Sequence, residues 1–394
     1  MNKRILITGG SHAELPIIQA AKNRGDYVIT TGNDKQGLGH KAADEYVPCD
    51  YSDKERIYQL AKELQVDAIV SGCNDFAYLS TAYACEKLGL KGHDNYQTAM
   101  VIHHKNEFRM CTSSLGIRTP KAKTCNTLDE AVFFCHQIDF PVLVKPIDLT
   151  GGKGVLICNT EEEVKKAFLY ARDLTRESVV LVEEYIQGTN HGASVLLKNQ
   201  KVIFGFVDNE QYYKNPYLVS GACFPSDVPQ CTILKLFHDI ETIAEKLKLV
   251  DGLFHTQFIV EEDYEPVMID PCRRAPGDLY ILLVKYATEI DYPAEILKAE
   301  CGETVSSQYK PVFHNVAREC IMTNKNGIVN GIQIDSALKN KLIDEYIWSN
   351  EGDSIEDYLK YKAGILFFSG NHYRELYNDV EQFHELVTIQ VQGE

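Results

Sequence analysis

The sequence lacks several features that define common classes of functional site. Its twelve cysteines include no C-x-x-C pair, which argues against a zinc or redox motif and favours buried, reduced thiols. No apolar run reaches the ~18 residues that a membrane-spanning helix needs. The pattern G-x-x-x-x-G-K-[ST] is also absent, so any phosphate-binding loop is not of the P-loop type.

Positive charge is scarce as well. Lysine and arginine number 40 against 56 aspartates and glutamates, which gives a formal net charge of −16. Such an excess of negative charge disfavours non-specific binding to nucleic acid or to anionic membranes. We therefore expect small-molecule partners, with no nucleic acid and no membrane. The reduced cysteines and the missing signal peptide predict a cytoplasmic protein.

At 394 residues the chain is long enough for two or three domains. Short apolar segments at residues 5–8, 27–31 and 67–71 alternate with amphipathic segments that have helical spacing. This βαβ rhythm predicts a parallel sheet with helices on both faces.

A dinucleotide-binding interpretation of the first domain rests on few residues. The turn after the first strand contains Gly9 and Gly10 but not the full G-x-G-x-x-G spacing, which normally brings a pyrophosphate to a helix N-terminus. Asp34 lies where a ribose-binding acid would fall. An NAD-dependent enzyme is therefore the weaker alternative.

The densest chemical signal lies between residues 140 and 158. A buried strand over residues 142–144 delivers Lys145, and the loop after it contains Gly151, Gly152, Lys153 and Gly154. Glycines let backbone N–H groups approach an anion, and the lysine adds positive charge, so the loop can enclose phosphates. A plain hairpin turn is the alternative, but Lys-Pro before the loop and a strand-like segment after it favour the phosphate interpretation.

A second apolar run, residues 179–182, ends in Glu183, Glu184, Tyr185 and Ile186. We call residues 183–186 the hinge segment. Its backbone and an acidic side chain can meet an adenine edge, with the apolar residues packing on the ring. On its own, an ordinary strand end explains the segment better.

Two further strands are predicted over residues 251–260 and 265–272, joined by an acidic turn. Alternation puts His255 and Gln257 on one face of the first strand, and Asp270 on a face of the second. Oxygen groups on neighbouring strands can hold a hard cation together with phosphate oxygens. Arg273 and Arg274 follow at once and offer fixed positive charge to a developing phosphoryl or carboxylate oxygen.

The order of these segments resembles the ATP-grasp superfamily, particularly its carboxylate–amine ligases and the ATP-grasp halves of carbamoyl-phosphate synthase and biotin carboxylase. The resemblance covers roughly residues 1 to 370. It implies an α/β fold: a Rossmann-like parallel-sheet domain at 1–104, a two-lobed α+β ATP-grasp domain at 105–308, and a small C-terminal α/β lobe at 309–394. The part that covers the nucleotide would be about 112–185.

The same resemblance implies site residues, ATP and Mg²⁺ as cofactors, and a homodimer. ATP would be bound by Lys105, Lys145, Gly151, Gly152, Lys153, Gly154, Glu183, Glu184, Tyr185, Ile186 and Asn190. The metal ligands would be Gln257 and Asp270. Arg274, with Arg273, would stabilise an acyl phosphate. These assignments predict an ATP-dependent ligase that phosphorylates a small carboxylate, such as an amino acid, and couples it to an amine.

Three positions depart from the family pattern. Gln257 stands where the family commonly has Glu, Cys272 where it has Asn, and Asn190 where a Glu often contacts the ribose. Each lost negative charge weakens the binding of Mg²⁺, which prefers carboxylate oxygen. The departures support an alternative function, an ATP-binding sensor or partner protein with weakened catalysis.

Overall fold

The protein is described here by a computed structural model, which covers residues 2–147, 154–175 and 179–392. None of the helices in these ranges is long and apolar enough to cross a membrane. All twelve cysteines fall within these ranges and are free thiols, most of them buried.

The N-terminal part forms a parallel sheet in the order β3-β2-β1-β4. Its elements are β1 (Arg4–Thr8), α1 (Leu15–Asn23), β2 (Tyr27–Thr30), α2 (Leu38–Ala42), β3 (Glu45–Tyr46), α3 (Lys54–Leu64), β4 (Ala68–Ser71), α4 (Asp75–Leu88), α5 (Tyr96–His103) and α6 (Lys105–Ser114). Ile5 and Ile7 of β1 pack with α1 on one face, whereas Leu6 packs with α3 on the other. The predicted parallel sheet with helices on both faces is thus confirmed.

A separate four-stranded antiparallel sheet follows, in the order β5-β8-β6-β7. Its elements are β5 (Ala122–Cys125), α7 (Leu128–Ile138), β6 (Val142–Pro146), β7 (Leu156–Cys158), α8 (Glu161–Leu174) and β8 (Val180–Glu184). Helix α7 begins with a capping box between Thr127 and Glu130, which satisfies backbone N–H groups that the helix leaves unpaired. Strand β6 ends at Pro146, so Lys145 lies at its end as predicted.

The remaining chain builds a large antiparallel sheet and a small one. Its elements are β9 (Thr189–Lys198), β10 (Lys201–Tyr212), β11 (Val219–Phe224), α9 (Gln230–Leu247), β12 (Gly252–Val260), β13 (Pro266–Cys272), α10 (Tyr280–Thr288), α11 (Tyr292–Glu300), β14 (Val316–Ile321), β15 (Gly327–Ile334), α12 (Ser336–Lys339), β16 (Leu342–Ile347), β17 (Ser354–Ile355), β18 (Gly364–Ser369), α13 (Tyr373–Glu381), α14 (Phe383–Leu386) and β19 (Val387–Gln392). The large sheet has the order β13-β12-β9-β10-β11-β14-β18-β16, and the small one β17-β15-β19.

The large sheet crosses the domain limit that the sequence suggests at residue 309. Strands β14, β18 and β16 continue the same hydrogen-bonded sheet as β9 to β13. The C-terminal segment therefore shares a backbone framework with the preceding domain rather than folding beside it. The limits 1–104, 105–308 and 309–394 remain predictions.

Candidate active site

A cavity of about 220 Å³ lies where α6 and the end of the parallel sheet meet strands β10, β12 and β13. Four of the residues singled out in the sequence line it: Lys105, Gln257, Asp270 and Arg274. The fold thus brings together one lysine, one arginine, one carboxylate and one amide, although Lys105 and Arg274 are about 170 residues apart in sequence.

A buried ion-pair cluster lies beside the cavity. Lys145 donates to Glu183 Oε1 at 2.7 Å, and Arg109 donates to Glu183 Oε2 at 3.2 Å. All three side chains are at least nine-tenths buried. Burial alone would raise the pKa of Glu183, but Lys145 and Arg109 outweigh it and hold that pKa below its usual value. The cluster therefore carries a net positive charge, because two cations share one carboxylate.

Lys105 and Asp270 extend this charge pattern into the cavity. Lys105 is the first residue of α6, and its Nζ lies 3.7 Å from Asp270 Oδ1. The Asp270 side chain is 44% exposed, so its carboxylate is accessible. Burial would raise its pKa, but Lys105, Lys145 and Arg109 keep it below its usual value. Asp270 is thus a charged, accessible oxygen ligand surrounded by cations.

Gln257 is hydrogen-bonded to an acid that the sequence analysis did not single out. Its Nε2 donates to both carboxylate oxygens of Glu210, at 2.9 and 2.8 Å. Tyr212 donates to Glu210 Oε2 at 2.6 Å. Burial raises the pKa of Glu210, although these hydrogen bonds oppose the shift. Glu210 also lines the cavity. A carboxylate therefore lies next to position 257, where this chain has Gln and the family commonly has Glu.

Arg274 is oriented by an acid from the N-terminal domain. Its Nε donates to Asp75 Oδ1 at 2.8 Å, and Nη1 donates to the backbone oxygen of Ala275 at 3.2 Å. Both Arg274 and Asp75 line the cavity. A guanidinium held in this way is a fixed, positioned positive charge, which is the property that anion stabilisation requires.

Arg318 also lines the cavity, together with Arg109 and Arg274. Arg318 is 2% exposed and donates through Nη1 to the backbone oxygen of Asp278 at 3.2 Å, while its Nε has no hydrogen-bond partner in the structure. Asp278 also accepts from Lys362. The free donor of a buried arginine is energetically costly unless a ligand meets it.

His255 lines the same cavity but has the features of a structural residue. Its Nδ1 lies 3.1 Å from Ser194 Oγ, and its ring packs edge-on against Tyr280. Burial, with the nearby charge of Arg274, lowers the pKa of His255 to about 3. The imidazole is therefore neutral, in line with the absence of a catalytic assignment for it in the sequence analysis.

The position of Arg273 does not fit the catalytic role predicted for it. The side chain is buried and donates to Asp94 Oδ2 at 2.8 Å and to the backbone oxygens of Leu253 and Val250. These contacts join the N-terminal domain to β12. Both arginines follow the end of β13 at Cys272, and only Arg274 of the pair lines the cavity.

The hinge segment differs from expectation in its acids. Glu183 is held in the ion-pair cluster, and Glu184 accepts from Arg118 through both carboxylate oxygens, at 2.9 and 3.2 Å. Neither carboxylate is free to meet an exocyclic amine. Ile186 is buried, whereas Tyr185 is 38% exposed, so one of these two side chains packs inside the protein and the other meets solvent.

Two groups of predicted residues lie elsewhere. Asn190 lines a different cavity, together with residues of α13 and α14. Gly151, Gly152 and Lys153 fall outside the described residues. Gly154 is described and has a φ of 74°, a left-handed conformation that favours glycine.

Three functional candidates were missed in the sequence: Arg109, Glu210 and Arg318. Glu210 belongs to an alternating acidic and aromatic pattern, Asp208-x-Glu210-x-Tyr212, that marks one face of a strand. Arg109 lies four residues after Lys105, one helical turn further. These two carried a readable signal, whereas nothing local to Arg318 indicates its position.

Comparisons with known families and proteins show what this chain is similar to. Residues 104–209 match the family described as carbamoyl-phosphate synthase L chain, ATP binding domain. The chain is 24% identical over 272 residues to an alanine–anticapsin ligase of Bacillus subtilis, covering 63% of this chain and 56% of that relative. It is 26% identical over 187 residues to a formate-dependent phosphoribosylglycinamide formyltransferase of Prochlorococcus marinus, covering 47% and 48%. The chain thus spans about half the length of these curated relatives.

Solved structures share the fold over the whole chain. An L-amino acid ligase from Bacillus licheniformis superposes with a TM-score of 0.84 at 19% identity, covering 100% of this chain and 99% of that one. A phosphoribosylglycinamide synthetase from Anaerococcus prevotii gives a TM-score of 0.80 at 22% identity, with full coverage of both chains. At these identities the likeness establishes the fold, which matches the fold class expected from the sequence.

Proposed function

We propose that this chain is an ATP-grasp enzyme that uses ATP to convert a small carboxylate into an acyl phosphate and then couples it to an amine. The observation that carries the proposal is the set of cations around one cavity. Lys105, Arg109 and Lys145 surround the accessible carboxylate of Asp270, and Arg274 lines the same cavity. Such an arrangement suits a polyphosphate with a metal ion and a developing anion.

ATP would be held by Lys105, Lys145 and the loop that contains Gly151, Gly152, Lys153 and Gly154. Lys145 now pairs with Glu183, so an ATP phosphate would share this lysine with the carboxylate. The adenine would lie against the hinge segment. Strand β8 ends at Glu184, which leaves the backbone of Tyr185 and Ile186 beyond the strand and near apolar surface. This proposal assigns adenine recognition to backbone groups rather than to the two hinge acids.

The residues at the cavity fit Mg²⁺ held partly by substrate. Within the described part of the chain, no group of three or more His, Cys, Asp or Glu side chains could hold a metal ion. Mg²⁺ often binds to one or two carboxylates, with waters and nucleotide phosphates filling its shell. Asp270, the Oε1 of Gln257 and the neighbouring Glu210 offer oxygen ligands of this kind. When bound, the ion would neutralise charge on the ATP phosphates.

The chain's own residues would act by position and charge. A substrate carboxylate attacks the γ-phosphorus of ATP, a P–O bond forms as the bond to the leaving ADP oxygen breaks, and an acyl phosphate results. The amine then attacks the acyl carbon and phosphate leaves. Arg274, fixed by Asp75, would stabilise the carboxylate and the acyl phosphate. No side chain forms a covalent bond in this scheme, as is usual for phosphoryl transfer.

The test is ADP release by the purified protein with ATP, Mg²⁺ and pools of amino acids and other small carboxylates, each with and without an amine pool. The proposal expects release that depends on one carboxylate pool and increases with an amine. Arg274→Met should lower this release by roughly 100-fold or more, while the protein still binds ATP. ADP release at the same rate with and without every carboxylate pool would contradict the ligase proposal.

A second function is favoured by the state of the metal ligands. Gln257 donates to Glu210 and thereby occupies both of its oxygens, and Cys272 is a buried thiol in place of a harder ligand. Both features weaken a cation site. An ATP-binding sensor or partner protein would be stabilised by ATP but would release no ADP with any pool, which separates it from the ligase.

Assembly and compartment belong to the same proposal. We propose a homodimer, which light scattering on the purified protein would test. We also propose a cytoplasmic location, because twelve free thiols suit a reducing compartment.

A further inference from the structure

A second cavity lies between the large sheet and the C-terminal helices α13 and α14, and its volume is about 590 Å³. Adjacent residues of β14 separate it from the candidate active site. Arg318 lines the first cavity, whereas Glu319 lines the second. Because successive side chains of a strand face opposite sides of a sheet, the two cavities lie on opposite faces at β14. We call the second one the Glu319 cavity.

Glu319 is a buried carboxylate with one unpartnered oxygen, Oε1. The side chain is 1% exposed, and its Oε1 meets no donor in the structure. It lies above Gly221, its cross-strand neighbour on β11; a methyl group there would come within 2.0 Å of both carboxylate oxygens. Burial raises the pKa of Glu319 to about 8, although Arg318 opposes the shift. A buried, unpartnered carboxylate is costly, and a ligand that donates hydrogen bonds would remove that cost.

Two more polar atoms of the same lining are unpartnered. Gln211 uses Nε2 on the Cys223 sulfur at 3.4 Å, while its Oε1 has no donor. His384 Nδ1 is also without a partner, and burial, with the charge of Lys214, lowers the pKa of His384 to about 4. The amide oxygen of Gln211 and the ionised form of Glu319 only accept hydrogen bonds, and a neighbouring cation favours that ionised form. The complement that satisfies both is therefore a cationic group rich in N–H donors.

The charge and the rings of the lining favour a cation. The rim carries the carboxylates of Asp227, Glu381 and Glu385, against one lysine, Lys214. His384 stacks on Tyr213 with ring centroids 3.6 Å apart, and Tyr377 adds a further aromatic face to the lining. Aromatic faces attract ammonium groups. An anionic ligand is disfavoured, because it would lie close to Glu319 and to the carboxylates of the rim.

From these observations we propose that the Glu319 cavity binds a small aliphatic diamine. One ammonium group would donate to Glu319 and to Gln211 Oε1 at the floor, and the other would lie among the rim carboxylates. The occupant is defined by two cationic, donor-rich ends joined by a short apolar chain. The floor groups of this site, Glu319 and Gln211, do not line the candidate active site, although Glu210 lines both cavities.

The experiment is calorimetric titration of the purified full chain with putrescine, and with the diol of the same carbon chain as a neutral probe. Saturable binding of the diamine, and none of the diol, is expected. Glu319→Gln should weaken diamine binding by about 30-fold or more, which corresponds to roughly 2 kcal/mol for a buried charge pair. The variant keeps the shape of the side chain and removes only its charge.

Three controls make the outcome decisive. Glu345→Gln, which neutralises an exposed acid on β16, two strands from Glu319 in the same sheet, should bind the diamine as the wild type does. Lys105→Met, which removes a proposed ATP ligand outside the Glu319 cavity, should also bind it normally, so a failure of the ATP site would not affect this result. Thermal unfolding of Glu319→Gln checks that it folds. Equal affinity of Glu319→Gln and wild type, equal binding of the diol, or no saturable binding by the wild type would each overturn the proposal.

Discussion

Gln257 donates through one amide nitrogen to both carboxylate oxygens of Glu210, at 2.9 and 2.8 Å. The amide thereby replaces a charge repulsion by two hydrogen bonds. With Glu at position 257, two carboxylates would face each other, and a cation between them would be the natural way to hold both. Gln257 therefore stabilises Glu210 by hydrogen bonds within the protein, whereas Glu at this position would need a bound cation.

Restoring the acid should make the protein depend on metal. We expect Gln257→Glu to destabilise the metal-free protein by ~1–3 kcal/mol, because Glu210 loses two hydrogen bonds while it stays buried. In the presence of ATP, addition of Mg²⁺ should raise its Tm more than it raises that of the wild type. Thermal unfolding with ATP, with and without Mg²⁺, measures both effects.

A matched variant separates charge from the lost hydrogen bonds. Gln257→Met removes the same hydrogen bonds without adding a carboxylate, so it should be destabilised but gain no Mg²⁺ response. If Gln257→Glu and Gln257→Met respond equally to Mg²⁺, position 257 does not belong to a metal site.

We expect Lys145 to have two separable roles, in stability and in nucleotide binding. Lys145→Met leaves buried Glu183 with Arg109 as its one remaining cation among the contacts described, and breaking a buried ion pair in this way costs ~3–5 kcal/mol. The double variant Lys145→Met/Glu183→Gln removes the stranded charge and should recover much of that stability. ATP should bind to neither, because both lack the ammonium group. Unfolding by denaturant and ATP titration of each variant measure the two roles, and ATP binding by the double variant would exclude Lys145 from the nucleotide site.

Much of the framework could be predicted from local patterns. Apolar strands alternating with amphipathic helices indicated the parallel sheet, and the strand pair β12 and β13 followed from two apolar runs joined by an acidic turn. The edge strand β16 was missed. Its residues alternate between half-buried and exposed positions, so their mixed polarity resembles that of a surface loop.

The contacts at the candidate site that the sequence analysis did not predict share a physical feature, which is that they join residues far apart in sequence. Arg273 and Arg274 are neighbours in sequence, but their partners, Asp94 and Asp75, lie 179 and 199 residues away. No local pattern tells which arginine meets which acid. Glu210 was missed because it reaches Gln257 only through the strand order β12-β9-β10, which brings together residues 47 positions apart.

Glu319 should make the stability of the ligand-free protein depend on pH. Its pKa is raised to about 8 in the folded protein, above the unfolded value near 4.3. The folded state therefore holds the proton more tightly, and the associated stability is full at low pH and is lost as the pH rises towards 8. The loss attributable to this group is at most about 1.36 kcal/mol for each pH unit between the two pKa values.

Glu319→Gln removes this titration. We expect the variant and the wild type to differ little near pH 5, and the variant to be the more stable near pH 8, by roughly a few kcal/mol. Denaturant unfolding at several pH values gives the comparison, with Glu345→Gln as the exposed control. A difference between variant and wild type that does not change with pH would show that Glu319 is ionised when folded.

The two adjacent arginines should respond differently to the same substitution. Arg273→Met strands the buried carboxylate of Asp94. Among the described residues, the hydroxyl of Tyr78 and the N–H of Val250 remain as its donors, so we expect a loss of ~3–5 kcal/mol in stability. ADP release per folded molecule should change little, since Arg273 does not reach the cavity. Arg274→Met should instead lower the rate of ADP release by roughly 100-fold or more, as expected when a positioned anion-stabilising group is lost.

Companion variants keep the two effects apart. Arg273→Met/Asp94→Asn removes the stranded charge and should recover part of the stability without altering the rate. Arg274→Lys keeps the charge but loses the planar guanidinium that Asp75 orients, so its rate should fall between those of the wild type and Arg274→Met. If Arg273→Met slows ADP release as much as Arg274→Met does at equal folded fraction, both arginines act on the reacting groups, and the contact between Arg273 and Asp94 is a positioning contact within the active site rather than a structural one.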